Sequence, residues 1–132
     1  HSPILLNDDS SQQDFVRDYP TILNMIFRLL NISNKILISK KTKLRKVSFV
    51  HGACFLIAYE TFLKIEKFDE RFFLYCEDLD LCRKINTIGE GVYINSTVAV
   101  KHLHQRQSRK SIKIFLFHLK SFIKYFLKWG FR

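Results

Sequence analysis

The chain has no Cys-x-x-Cys pair, no internal repeat and no low-complexity tract, and it is short of acids. Its three cysteines, Cys54, Cys76 and Cys82, are an odd number in apolar contexts. That argues against a disulfide framework and for a reducing compartment, and it weakens any cysteine-based metal site. The opening His-Ser-Pro is neither a methionine start nor the basic region and apolar core of a signal peptide. This reads as a processed product or the latter piece of something longer. Twelve Asp and Glu stand against 22 Lys and Arg, a formal net charge of +10. Such an excess suits a polyanionic partner and says nothing about fold. No nucleic-acid motif accompanies the basic residues, which are dispersed or lie on an amphipathic helix, so nucleic acid is set below a membrane surface or a phosphate-bearing substrate.

What is present is enough for one modest core: 132 residues, 47% hydrophobic and 14% aromatic. Residues 1 to 20 read as polar after the short run Ile4-Leu5-Leu6, with a loop at Asn7 to Ser11. The spacing of Ile22, Leu23, Ile26, Leu29 and Leu30 predicts a short amphipathic packing helix, and Lys35 to Lys46 reads as an exposed basic loop. Val47–Val50 and Ala53–Ile57 are β-type runs broken at Gly52. A helical turn follows at Tyr59–Ile65, then a helix from Glu77 to Ile88 stopped by Gly89. Val92–Asn95 and Val98–His102 read as two short strands. Ile112 to Phe131 is a basic amphipathic helix, with Lys113, Lys120, Lys124 and Lys128 turned away from its apolar side. Four lysines exclude a spanning helix; the pattern fits either a membrane interface, with Tyr125 and Trp129 at headgroup level, or packing on the domain's own core.

The chemistry concentrates in Phe68–Lys84, where five carboxylates sit among six apolar side chains and three thiol or phenol groups. Carboxylates held against apolar surface can be tuned as bases or set beside a metal, because desolvation and neighbouring charge move their pKa. Glu77, Asp78 and Asp80 fall in the first turn of the expected helix, where the macrodipole alone would favour acids. Their company goes further. Tyr75 and Cys76 lead into them, and His102 lies 24 residues beyond Asp78 at a strand end. A carboxylate and a strand-end imidazole can share a metal or a phosphate-rich pocket.

Val50-x-Gly52-Ala-Cys-Phe-Leu-Ile57, then Phe68-Asp-Glu-Arg-Phe-Phe-Leu-Tyr-x-Glu-Asp-x-Asp-Leu-Cys-Arg83, Gly89, Val92-Tyr93 and Val100-x-His102 resemble the latter half of family 2 glycosyltransferases of the GT-A fold. Rhamnosyltransferase-like members that build bacterial O-antigen and related cell-surface polysaccharides are the nearest in pattern. The resemblance implies an α/β fold, the C-terminal portion of a GT-A nucleotide-diphospho-sugar transferase, with a mixed sheet and flanking helices. It implies residues 1–108 as the acceptor-side, catalytic part and 109–132 as a basic amphipathic helix.

Position by position, Asp78 matches the base that deprotonates the acceptor hydroxyl in an inverting displacement, and Glu77 the acid beside it. His102 matches a histidine that helps hold a divalent metal, Mg or Mn, on the donor diphosphate, and Gly52 a small residue near the donor pocket. Arg106, with Arg109 and Lys110, is placed to meet a diphosphate. The implied partners are a nucleotide-sugar donor such as dTDP-rhamnose, a lipid-linked saccharide acceptor and the anionic inner face of the bacterial plasma membrane, reached from the cytoplasm. The N-terminal nucleotide-binding strands and Asp-x-Asp motif of the family are not recognised, since Asp8-Asp9 reads as a polar loop with no long strand-helix pattern before it. The expectation is therefore a fragment that is inactive alone. The competing expectation is a membrane-surface or polyanion-binding module whose acids are structural.

Overall fold

The computed structural model describes residues 1–29, 36–39, 42–103 and 111–131. Its centre is a three-stranded sheet ordered β1-β5-β3, from Ser2–Leu6 (β1), Val92–Lys101 (β5) and Leu44–Val47 (β3). β1 runs parallel to β5 and β3 antiparallel to it, so the sheet is mixed, in agreement with the α/β expectation. A second small pair, Val16–Arg17 (β2) against Phe49–Val50 (β4), is antiparallel and is prolonged by the His51 N–H donating to the Phe15 carbonyl at 2.9 Å.

Among the described residues, four helices complete the element order: Ile22–Leu29 (α1), Tyr59–Lys64 (α2), Glu77–Thr87 (α3) and Ile112–Trp129 (α4). Thr21 caps α1, its hydroxyl accepting from the Asn24 N–H at 3.1 Å. Beyond α3, Gly89 takes φ +80°, the left-handed conformation that glycine adopts without steric cost. The core joins both sheets to α3 and α4: Leu5, Phe15, Val16, Leu79, Ile94, Tyr125 and Phe126 are buried together.

Several expectations are corrected. Ile4-Leu5-Leu6 belongs to a buried strand rather than an apolar prelude to a loop, because Ile4 and Leu5 face the core while β5 satisfies the backbone. Part of the expected basic loop is strand β3, whose Arg45 and Lys46 stay exposed while their backbone pairs with Ile94 and Tyr93. Ala53–Ile57 is turn and coil, since the chain leaves β4 at His51 to pass the start of α3. The two expected strands after Gly91 are one strand, β5, with an irregularity where Pro3 pairs with Asn95 and Ile4 with Ala99. There the Asn95 side chain accepts from the Thr97 N–H at 3.0 Å and hydroxyl at 2.6 Å, a local turn that mimics a break in the sequence pattern. In α1 the apolar Ile22, Leu23 and Phe27 are exposed rather than packed.

α4 packs on the domain's own core through its inner side, one of the two roles expected for it. Tyr125, expected at headgroup level, is fully buried, and Trp129 donates its indole N–H to Asp80 at 2.7 Å. Lys128, expected to point away, sits 2.7 Å from both Asp69 and Asp80. These side chains are drawn inward because α3 and the loop before it present buried carboxylates that need partners. Of the expected apolar side, Phe115, Leu116, Leu119, Ile123 and Leu127 are exposed, whereas Phe126 is buried and Phe122 partly buried in the core.

Candidate functional site

Asp78 sits in the first turn of α3, which a tight approach sets in place. Tyr75 and Cys76 both have left-handed backbone, φ 67° and 68°. For residues with side chains this costs about 1–2 kcal/mol each, so the surroundings must hold it. They do: the Ser121 hydroxyl donates to the Leu74 carbonyl at 2.6 Å and the Tyr75 ring lies 4.2 Å from that of His118, both partners on α4.

The Asp78 carboxylate accepts from the Gly52 N–H at 2.7 Å on Oδ2 and from the Leu79 N–H at 2.8 Å on Oδ1. A carboxylate offers about four lone-pair positions, so two backbone bonds fix its orientation and leave acceptor capacity for a hydroxyl. The absence of a side chain at Gly52 suits this approach. A Cβ there would stand 3.0 Å from the Asp78 Cβ and 3.3 Å from Oδ2. The position read as a donor-pocket residue thus serves as the seat of Asp78.

His51, which the sequence reading passed over, places Nδ1 3.9 Å from Asp78 Oδ2 and packs its ring against Phe49. Burial pushes its pKa below the ordinary imidazole value, against the pull of Asp78. Its one sequence signal is its place beside Gly52 in the block that bears the resemblance. Glu77 is half-buried with Oε2 unpartnered among the described residues, and burial followed by the Asp78 charge raises its pKa. Burial likewise raises the thiols of Cys76 and Cys82, the latter to about 12, so neither is a ready nucleophile.

His102 lies just past the end of β5, where its N–H donates to the Leu6 carbonyl at 2.9 Å. Gln13 fixes its ring: the amide nitrogen donates to the carbonyls of Leu6 and His102, which turns the amide oxygen toward His102 Nδ1 at 3.1 Å. With the amide oxygen toward it, His102 Nδ1 takes the donor role in this contact. The same edge carries the Asn7–Ser11 turn, in which Asp9 accepts from the Ser11 N–H and hydroxyl. Asp8 and Asp9, in the expected loop, follow the short strand β1 directly, at the carboxyl ends of two parallel strands, where α/β sheets bind ligands. The pairing of β1 with β5 across more than 90 residues is what the local pattern could not reveal. His102 also lies near enough to His51 for its charge to act there.

Among the described residues no three His, Cys, Asp or Glu side chains gather closely enough to hold a metal ion. Arg106, Arg109 and Lys110 lie outside the described residues. Two open clefts lie elsewhere, one lined by Arg17, Tyr19, Arg45 and Asn86 and the other by Lys64, Asp69, Arg71 and Trp129; neither includes Asp78.

The chain is similar to "Rhamnosyltransferase WbbL" of Escherichia coli (strain K12), 29% identical over 113 residues that make up 83% of this chain and 43% of that protein. It is 32% identical over 78 residues to "N-acetylglucosaminyl-diphospho-decaprenol L-rhamnosyltransferase" of Mycobacterium tuberculosis, covering 58% of this chain and 25% of that one. To "Low-salt glycan biosynthesis hexosyltransferase Agl10" of Haloferax volcanii it is 28% identical over 105 residues, 80% of this chain and 32% of that protein. No family model matches, and no solved structure matches. The curated relatives are thus glycosyltransferases, as the resemblance implied, and the chain spans 25% to 43% of their length.

Proposed function

We propose that this chain is the acceptor-side, base-bearing part of a GT-A glycosyltransferase that moves rhamnose from a nucleotide-sugar, dTDP-rhamnose, to a lipid-linked saccharide in O-antigen or related glycan synthesis. The observation that carries the proposal is the Asp78 carboxylate, held by two backbone N–H groups with acceptor capacity left, in a chain whose relatives are named sugar transferases. In the proposed step the acceptor hydroxyl gives its proton to Asp78 as its oxygen attacks the anomeric carbon. The bond from that carbon to the nucleoside diphosphate breaks, with inversion. Glu77, next to the base and short of a partner, orients the acceptor.

His102 supports the donor side of the reading. It would give one ligand to a divalent ion, Mg or Mn, that stabilises charge on the diphosphate. The remaining ligands would come from beyond the described residues, and no step above depends on it. Arg106 is the cation proposed to meet the diphosphate of the acceptor or of the donor. The enzyme's place, on this reading, is the cytoplasmic face of the inner membrane.

The test is transfer of labelled rhamnose from dTDP-rhamnose to a lipid-linked saccharide, with the chain joined to the donor-binding portion of a relative. Asp78→Asn is expected to slow transfer by about 100-fold or more, the usual scale for a general base. Transfer unchanged in Asp78→Asn would overturn the assignment.

A further inference from the structure

α4 has two sides of different character. One is locked to α3: Arg83 donates to the Tyr125 hydroxyl at 2.9 Å and the Trp129 carbonyl at 3.3 Å, and Trp129 donates to Asp80. The other carries Ile112, Phe115, Leu116, Leu119, Ile123 and Leu127, all exposed, Ile112 at 81% and Leu127 at 74%. Their three- and four-residue spacing makes a single stripe along the helix. Phe73, 83% exposed, adjoins the helix through the Phe117 ring.

Lys113 and Lys120 are exposed, and at 100° per residue Lys120, Lys113 and Lys124 form a row along one flank of the stripe. α4 contains no Asp or Glu. A second copy of this face would set lysines against lysines around an apolar contact, with no acids to pair them. An anionic lipid surface satisfies both features, taking the apolar stripe below the headgroups and the lysines at their level. Among the described residues no helix is long and apolar enough to cross a membrane, so contact would be in the plane of the interface.

We propose that the outer face of α4, with Phe73, is a docking surface for an anionic lipid bilayer. α4 also holds the segment before α3, through Ser121 to Leu74 and Lys124 to the Arg71 carbonyl, so docking fixes the lead-in to Glu77 and Asp78 relative to the membrane. The inference stands on the helix and not on the transfer reading, because vesicle binding and sugar transfer are measured separately.

The test is flotation of the 132-residue chain with vesicles of phosphatidylcholine, with and without phosphatidylglycerol. Binding to the anionic vesicles is expected, falling roughly tenfold or more in Lys113→Glu/Lys120→Glu and lost in Leu116→Asp/Ile123→Asp. All four positions are exposed, and an unchanged thermal midpoint verifies the fold of each variant. Failure to float with anionic vesicles would overturn the proposal. So would binding that survives Leu116→Asp/Ile123→Asp, or a dimer in light scattering that this variant converts to monomer without any vesicle binding.

Discussion

At the scale of single residues, the site depends on one approach, the Gly52 N–H to Asp78. Gly52→Ala puts a methyl 3.0 Å from the Asp78 Cβ, an atom fixed to the helix backbone, so the loop rather than the helix must give by a few tenths of an ångström. The expected outcome is a small loss of stability, about 1 kcal/mol in urea denaturation, with at least a tenfold loss of transfer in the completed enzyme, since misplaced catalytic groups are costly. His51 makes a separate prediction. Its pKa is lowered first by burial, with Arg17 and His102 acting in the same direction and Asp78 and Asp14 opposing. The unfolded chain therefore binds a proton that the folded chain refuses just below the ordinary imidazole value of about 6.5. Stability should rise with pH through that window and fall on acidification. His51→Gln should flatten this slope in denaturation series between pH 5 and 7. The spacing of Glu77, Asp78 and His102 marked them in the sequence as candidates. The role of Gly52 as the seat of the carboxylate was not legible, because it is a contact across 26 residues.

At the scale of elements, helices were the readable part: α1, α3 and α4 follow apolar spacing and a glycine stop, which are local signals. Strands were read less well, because β1 and β3 are defined by partners far along the chain and β5 carries a turn-like irregularity. The joint between α3 and α4 was hidden for the same reason. Asp80 is 1% exposed and meets Trp129 and Lys128 from the last turn of α4. Asp80→Ala leaves a largely buried lysine and an indole N–H without that partner, and should cost about 3 kcal/mol by urea denaturation. A loss under 1 kcal/mol would show that the joint is not held there. Asp69 adds an acid limb. Its hydrogen bond to Arg71, and then that to Lys128, hold its carboxyl well below the usual range. Its contribution is thus complete above about pH 4 and lost as pH falls further. Asp69→Asn should reduce the steepness of acid unfolding in that range.

At the scale of the whole molecule, α4 is both a structural wall and the bearer of an unpartnered face, and the two roles can be separated. Its inner side supplies Tyr125 and Phe126 to the same buried cluster as Phe15 and Ile94, and closes over Arg83 with stacking contacts from Trp129 at 4.9 Å and Tyr125 at 5.5 Å. A chain ending before Ile112 would lose two buried aromatic rings and strand Asp80 and Arg83 without their partners on α4. Each large core truncation costs about 3–5 kcal/mol, against a total stability of about 5–15 kcal/mol for a domain of ordinary size. The shortened chain should therefore show no cooperative thermal transition and poor amide dispersion by NMR. The exposed-face variant Leu116→Asp/Ile123→Asp should keep both, since neither residue lies in that cluster. A cooperative transition in the shortened chain would make α4 an appendage, and the hold of α4 on the lead-in to Asp78 would then carry no structural weight.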